Sequence, residues 1–589
     1  MKKYLFEILS LLGPDKWKLP ALLIFFIFAS MLDLLGISLI GPYIGLVVDP
    51  QSKSEVIAYI GNWMSLPKSH DLLVIVLGLI LLTIFFLKTI TALWVYHVII
   101  KFSTVQQIRL KSLLMKKFQF QPYTTYLAGN SSESVHSIQK LVDHYTDGVV
   151  TVGMKILSDA VVVLAIIILL AWINIYAVIL LIGLTAVFVF GYDKLFRVKI
   201  KLYGKKSNLA SINVVKAVSE SMEGLKEVRI LGREKYFYNQ VRNSAKEFGR
   251  YYIRSTILTT APRYLLEFIM VLFIVALVTL LQVYQKNLDQ LLPTLSAFGI
   301  AAIRLIPSIN TFSTGMARLR FNRDSVSRLY LDVVEINKFH LKNNSLDGTK
   351  IYQPFNSFEL EHVNFRYPSA KQNTLNDVSL KINTGEVIGL IGSSGSGKST
   401  LIDVILGILQ PQEGKALYNK NPLRDKLKEW QCHIAYLPQK IFLIDSTLKK
   451  NIALGVKDKE IDNNKLIDAL ERAHLTKLVE QLHKGVDTLL GEGGIRISGG
   501  QKQRVALARA FYHGRDVLIM DEATSALDNQ TEREIVEEIK RLKGSKTTII
   551  VAHRMSTLKY CDVIYEIKGG ILKKGGTYNE IVSGVREDV

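Results

Sequence analysis

Apolar positions along the chain follow two patterns that change over near Thr311. Before it lie six runs long enough to cross a bilayer: Leu19–Val48, Leu72–Ile99, Val149–Ile173, Ile175–Phe196, Ile257–Val283 and Leu291–Phe312. A helix of about 20 apolar residues spans the hydrocarbon core. Helices are the expected form because lipid offers no partner to a free backbone N–H or C=O. After Thr311, short apolar strands alternate with helical stretches, the pattern of an α/β domain. Polar, turn-forming residues around His340–Pro354 separate the halves. The expected architecture is multi-domain: an all-α six-helix transmembrane domain over 1–325, a linker over 326–356 and an α/β domain over 357–589.

Charge orients this picture. The 589 residues are 49% hydrophobic with a formal net charge of +21, and mean hydropathy is +0.22. A basic balance can signal nucleic acid, but here the charge lies beside the apolar runs. Lys101–Tyr145 holds six Lys and Arg residues and Arg197–Arg254 holds fourteen. The alternate connections hold Lys53 and Lys68, none at Asn174, and Lys286. Basic loops stay cytoplasmic, so both termini and the α/β domain are expected in the cytoplasm. The two basic segments are helix-patterned, so spans two to five should continue beyond the membrane. Six spans exclude a soluble nucleic-acid-binding protein. The two cysteines, Cys432 and Cys561, lie in the α/β half and are expected to stay reduced. The start, Met1-Lys2-Lys3 with Glu7, Pro14 and Asp15 before the first run, reads as an uncleaved anchor.

Two features interrupt the membrane half. Val56, Ile57, Ile60, Trp63 and Met64 recur at helical spacing between Pro50 and Pro67. They suggest either a short amphipathic helix on the outer membrane surface or a loop packed on the bundle. Asp33, Lys88, Lys155, Asp159, Arg263, Glu267 and Arg304 lie within the spans. Charge at that depth is costly and faces a bundle interior or a wet cavity. Lys155 with Asp159, and Arg263 with Glu267, are four apart and can pair along one helix. Lys88 and Arg304 have no such neighbour, so with Arg263 they are candidates for a cationic cavity.

The α/β half carries the chemistry. The expected strand Glu386–Ile391 runs into Gly392-Ser393-Ser394-Gly395-Ser396-Gly397-Lys398-Ser399-Thr400, then a helix from near Leu401. G-x-x-x-x-G-K-S between strand and helix is a phosphate-binding loop. Its glycines let backbone N–H groups curl around phosphates, and the helix N-terminus adds its positive end. Lys398 can neutralise the β- and γ-phosphates of ATP, and Ser399 can ligate Mg2+. A second strand, Val517-Leu518-Ile519-Met520, ends in Asp521-Glu522. Asp521 suits Mg2+ through water, and Glu522 can orient attacking water or take its proton.

Between these elements, Ile497-Ser498-Gly499-Gly500-Gln501 followed by Lys502-Gln503-Arg504 closely resembles the signature of ATP-binding cassette proteins. The resemblance extends to Tyr367, to Gln439 in Tyr-Leu-Pro-Gln, to Ser525-Ala526-Leu527-Asp528 and to His553 in Ala-His-Arg. It implies that Tyr367 stacks on adenine, Gln439 senses Mg2+ and water, Glu522 is the catalytic base and His553 holds the γ-phosphate. It also implies that Ser498, Gly499, Gly500, Gln501 and Asp528 contribute to ATP sites shared between two cassettes. One chain has one cassette, so a homodimer is expected. Ile497 replaces the family's usual Leu, a volume-conserving change. Gly491-Glu492-Gly493-Gly494 resembles the exporter Gly-Glu-x-Gly segment, with Gly493 where Arg is frequent. Gln121–Leu127, and Glu220 to Glu234 with Gly224 inside, resemble the two coupling segments of exporters.

Asp33–Pro42, Pro262-Arg263 and Arg304-Leu305-Ile306-Pro307-Ser308 resemble bacterial flippases of lipid-linked oligosaccharides. That implies ATP-driven transfer of a polyprenyl-pyrophosphate-linked glycan to the outer leaflet of the bacterial inner membrane. Lys88, Arg263 and Arg304 would meet the pyrophosphate, with Lys88 lacking arginine's bidentate fork. The alternatives are export of another amphiphile (glycolipid, drug or peptide) and an ATP-gated channel or regulator. The complete catalytic set argues against gating alone.

Overall fold

The computed structural model describes residues 2–48, 70–129, 131–173, 175–283, 288–338, 353–368, 370–522, 529–552 and 554–583. All six apolar runs lie on helices. Five helices among the described residues are long and apolar enough to span by composition, and the sixth run lies on a 34-residue helix, Leu288–Phe321. The outer amphipathic segment, Val56 to Met64, lies outside the described residues.

The chain divides into two compact units. One comprises Met1–Gln121 and Gly129–Asn344, the other Pro122–Ala128 and Ser345–Val589. In the first, α1 (Lys2–Leu12) precedes α2 (Leu19–Val48) and α3 (His70–Phe120). Tyr123–Ala128 is α4, and a helical run over 131–173, α5, contains π-helical turns at Ser137–Leu141 and Thr146–Val150. Then come α6 (Ile175–Glu223), α7 (Leu225–Ile230), α8 (Glu234–Val283), α9 (Leu288–Phe321) and α10 (Arg323–Lys338). Helices α3, α6 and α8 run 51, 49 and 50 residues. At about 1.5 Å per residue each is more than twice a hydrocarbon core in length, so they do extend beyond the membrane. Leu82, Phe86, Val187 and Phe190 are exposed on them, an apolar surface that lipid covers rather than water.

The linker begins later than its composition suggests. Residues 326–338 are part of α10 rather than linker. Val326, Leu329, Tyr330 and Val333 follow helical spacing and form an apolar stripe. Val326 and Leu329 are fully buried in a cluster with Leu11, Leu114 and Tyr145. Helix α1 docks there too: the Tyr4 hydroxyl donates to the Leu319 carbonyl at 2.6 Å, and Ser327 Oγ donates to the buried Glu7 carboxylate at 2.9 Å. Nearby, Gly204 of α6 lies so close to the Phe321 carbonyl that a Cβ would collide with backbone. Gly204→Val is expected to destabilise this unit by about 1–3 kcal/mol, read as a lowered apparent melting temperature. An unchanged value would mean that the two helices separate without cost.

In the second unit, β2 (Leu375–Asn383), β1 (Ser357–Phe365), β4 (Glu413–Tyr418) and β5 (Asn421–Pro422) form an antiparallel sheet in that order. The larger sheet has the order β10-β9-β3-β8-β7-β6. Its members are β3 (Val387–Ile391), β6 (Ile434–Leu437), β7 (Val517–Asp521), β8 (Thr547–Val551), β9 (Val563–Lys568) and β10 (Ile571–Gly576). Neighbours are parallel except β10 with β9. Parallel strands buried on both faces read as continuous apolar runs, and Thr547–Val551 is buried throughout. Helix α11 (Lys398–Ile405) follows β3, and α12 (Leu423–His433) braces it. The Trp430 indole of α12 is fully buried, stacks on Phe358 at 4.7 Å and donates to the Ile405 carbonyl at 2.6 Å. The first helix of the site is thereby anchored at its C-terminal end.

Candidate ATP site and membrane cavity

Open α/β sheets bind ligands at the carboxyl ends of their strands, and β3, β6 and β7 bring the predicted groups to that edge. Helix α11 starts at Lys398, three residues earlier than the expected Leu401. The preceding Gly397 has φ 111°, and a Cβ there would stand 3.0 Å from the Thr374 carbonyl oxygen. Only glycine takes this backbone without strain. The loop is fastened to the β9–β10 turn, where the Gly570 N–H donates to the Ser396 carbonyl at 3.0 Å. The Lys398 ammonium is buried and donates to the Gly392 and Ser393 carbonyls at 2.7 and 2.9 Å. Ser396 Oγ is buried without a hydrogen-bond partner among the described residues. A buried unpaired hydroxyl is costly, and a phosphate oxygen is a fitting acceptor for it.

The acids stand at the end of β7. Gln439 donates from Nε2 to Glu522 Oε2 at 2.8 Å. Glu522 holds φ 51° while its N–H donates to the Val551 carbonyl at 3.0 Å. A left-handed non-glycine residue stores strain of about 1–3 kcal/mol, and such residues cluster at functional sites. Burial raises the Asp521 carboxyl above the usual range, the adjacent Glu522 adds to this, and Lys398 opposes it. Among the described residues no three His, Cys, Asp or Glu side chains form a metal cage. The hydroxyl of Ser399, the Gln439 amide and Asp521 fit a hard cation that takes its remaining ligands from nucleotide phosphates and water.

Tyr367 packs edge-on to Phe365 at 5.0 Å and places its hydroxyl 3.3 Å from Thr400 Oγ1. Ser498 caps the helix Gly499–Tyr512 (α13) through a capping box, accepting from the Gln501 N–H while the Ser498 N–H donates to Gln501 Oε1 at 2.8 Å. This presents the N-terminus of α13, a natural anion site. Ile497 is buried in the core as the volume argument requires. Gly493 has φ 57° with open space around its Cβ position, so the backbone there excludes an unstrained Arg. Asp528, with Ser525–Leu527, and His553 lie outside the described residues.

Sequence reading missed Asp403 and Tyr436. Burial raises the Asp403 carboxyl to about 6, and the Asp521 charge adds to the effect. The Tyr436 hydroxyl donates to Asp521 Oδ2 at 3.2 Å. Tyr436 lies on β6, three residues before Gln439, and carries no motif of its own.

In the membrane half, Lys88 is not isolated. A cavity of about 220 Å³ between α2, α3 and α5 is lined by Ser30, Lys88, Tyr96, Lys155, Ser158 and Asp159, among others. Lys155 Nζ stands 4.9 Å above the Tyr96 ring. Lys155, four residues before Asp159 on one helix, thus shares this cavity with Lys88. Arg263 stays apart, ion-paired to Glu267 at 3.3 Å on an exposed face of α8. Arg304 falls on α9, and its side chain lies outside the described residues.

This fold and site define an ATP-hydrolysing cassette fused to membrane-spanning helices. Residues 375–525 match the ABC transporter family and residues 19–300 match the ABC transporter transmembrane region. The chain belongs to the ABC transporter family, as a multi-pass membrane protein whose ATPase is coupled to transport. It is 26% identical over 481 residues to the ATP-dependent lipid A-core flippase of Cupriavidus pinatubonensis, covering 81% of this chain and 80% of that one. It is 32% identical over 409 residues to the ABC transporter ATP-binding protein YknU of Bacillus subtilis, covering 67% and 66%. A bacterial Atm1-family ABC exporter with ATP bound superposes with a TM-score of 0.77 at 18% identity, over 97% and 98% of the two chains. That last likeness is one of fold.

Proposed function

We propose that two copies of this chain use Mg2+ and ATP to move an anionic glycolipid from the inner to the outer leaflet of a bacterial inner membrane. The observation that carries this reading is the cavity holding Lys88 and Lys155 at membrane depth. Two ammonium groups against one carboxylate leave a net positive site where a desolvated phosphate gains most. The names of the flippase relatives support a glycolipid cargo. They point to lipid A-core, whereas the span motifs resemble those of lipid-linked oligosaccharide flippases, and both belong in the test.

At the cassette, Glu522 would take the proton of the attacking water. Gln439 would hold that carboxylate, and Lys398 would turn from its own loop carbonyls to the phosphates. Bound Mg2+ would supply charge neutralisation at the phosphates, with Ser399, Gln439 and Asp521 around it. His553, Asp528 and the signature residues Ser498 to Gln501 would complete sites between two chains. The dimer finds support at α7, where Ile230 and Leu231 are 74% and 70% exposed. Such an apolar tip needs cover, and the second coupling segment of one chain would meet the partner's cassette.

Proteoliposomes containing the purified protein test the reading. Polyprenyl-pyrophosphate-linked oligosaccharide, lipid A-core and an uncharged glycolipid are offered separately with ATP. At least one anionic glycolipid should stimulate ATP hydrolysis and reach the opposite leaflet, and the uncharged one should do neither. No response to either anionic lipid would refute the proposal. A second reading, export of an apolar amphiphile, rests on a cavity of about 330 Å³ lined by Ile167, Phe190, Phe312 and Met316, with the Arg320–Asp193 ion pair also in its lining. Stimulation by an uncharged drug-like amphiphile alone would favour it.

A further inference from the structure

The cavity of about 330 Å³ in the membrane half is walled by α5, α6 and α9, and its two ends differ in chemistry. On α6, Ile182, Ala186, Phe190 and Asp193 line it at intervals of three or four residues, one face of a helix. Ile182 and Phe190 are exposed, so the cavity is a groove open along its side. From Ile182 to Asp193 the helix rises about 16 Å, which matches one leaflet of hydrocarbon, about 15 Å. Neutral polar groups along this stretch are engaged by the chain itself. The Thr185 hydroxyl donates to the Leu181 carbonyl, and the Tyr192 hydroxyl donates to the Leu258 carbonyl of α8 at 2.6 Å. An occupant of this stretch is therefore best held by apolar contact.

The Asp193 end is charged. Asp193 pairs with Arg320 of α9, and both line the groove. Arg197 falls four residues after Asp193 and three before Ile200, another lining residue, so it continues the same row. Lys194 does so one turn beyond Phe190. Lys194 and Arg197 are exposed, and no Asp or Glu follows on α6 until Glu220. Arg320 and Asp193 neutralise each other, so the mouth of the groove keeps the positive charge of Lys194 and Arg197. With the basic loops in the cytoplasm, that mouth lies at the inner surface of the membrane.

We propose that this groove seats an anionic glycerophospholipid of the inner leaflet. An acyl chain lies along Phe190 and Ile182, and the phosphate meets Lys194 and Arg197. The lipid is resident and is not cargo. Val163 of α5 lines this groove while its neighbour Val162 lines the Lys88 cavity, so the two sites occupy different faces of one helix. The seat depends on the proposed cytoplasmic placing of the basic loops and not on the nature of the cargo.

The full-length protein, stripped of lipid in detergent, is titrated with phosphatidylglycerol and separately with phosphatidylcholine of identical chains. Native mass spectrometry counts bound lipids, and melting temperature is followed in parallel. Wild type should prefer phosphatidylglycerol and melt higher with it, since a ligand of the folded state stabilises that state. Lys194→Gln with Arg197→Gln should weaken phosphatidylglycerol binding about 30-fold, the combined effect of two basic groups beside an anionic headgroup. Phosphatidylcholine binding and the lipid-free melting temperature should hold, which shows that the fold is intact. Ala186→Phe fills the groove and keeps every charge, and it should abolish the rise in melting temperature with phosphatidylglycerol. Equal binding of the two lipids by wild type, or wild-type affinity in the double Gln variant, would overturn the proposal. So would absence of binding, the result expected where a second copy of the chain covers the groove. Lys88→Ala with Lys155→Ala should leave phosphatidylglycerol binding untouched. Loss of binding there would make the groove part of the cargo path and refute a resident lipid. A wild type that binds phosphatidylglycerol yet answers no anionic glycolipid would refute the proposed cargo alone.

Discussion

Replacing Glu522 by Gln is expected to lower steady-state ATP hydrolysis by about 100-fold or more, the usual contribution of a positioned general base, while ATP binding survives. The substitution is nearly isosteric. Gln439 can still donate to the side-chain oxygen that now receives it at 2.8 Å, so the local geometry should persist. What disappears is the basic carboxylate. Its charge is also one of the causes raising the neighbouring Asp521 carboxyl, so Asp521 should ionise more readily in the variant. Phosphate release set against equilibrium nucleotide binding measures the effect. Hydrolysis within a few-fold of wild type would mean that another group takes the proton.

The second large effect is expected in the membrane cavity. Lys88→Ala combined with Lys155→Ala should reduce translocation of the proposed anionic glycolipid by more than about 100-fold, since each hydrogen bond to a charged group contributes about 1.5–3 kcal/mol and two are lost. Lipid-stimulated ATP hydrolysis should fall with it. Lys88→Arg should retain transport, because the charge stays and a bidentate fork is added. Asp159→Asn should act in the opposite direction and tighten the anionic lipid, because the carboxylate lining the same cavity repels it. Leaflet-specific labelling reads all three. Transport unaffected by loss of both lysines would remove the cationic cavity from the mechanism, whatever the cassette does.

These two sites differ in how far they could be read before any fold was known. The phosphate loop is local: Gly397, Lys398 and Ser399 are neighbours, and strand-to-helix punctuation surrounds them. Asp521-Glu522 closes a short apolar strand, again a local feature. The cavity lysines are 67 residues apart, on α3 and α5. Spacing alone paired Lys155 with its own helix and left Lys88 alone, since only i, i+3 and i, i+4 relations are visible along one helix. Bundle packing supplied the third neighbour. Arg263 shows the converse, since its local pairing with Glu267 persists.

Other departures have the same origin. The expected linker starts at residue 326, yet the stripe from Val326 to Val333 packs against α1 and α5. Tyr436 and Asp403 carried no motif. Their meaning comes from sheet order, which lays β6 beside β7, and from α11, whose turn sets Asp403 near the acids. Assignment of α4 to the cassette was likewise a matter of contact rather than of chain order.

By itself the chain's pattern determined that lipid-soluble helices precede an α/β domain and that this domain carries a phosphate loop and an acid pair, and it set the expectation that the basic loops face the cytoplasm. Those properties follow from periodicity, hydropathy and short-range geometry, which neighbours in sequence specify. Tertiary structure alone decided which intramembrane charges share a cavity, what grips Asp521, and to which unit α4 belongs. Such relations depend on side chains brought together across distant helices and strands, where burial and shared electrostatics act through space and leave no mark on residue spacing.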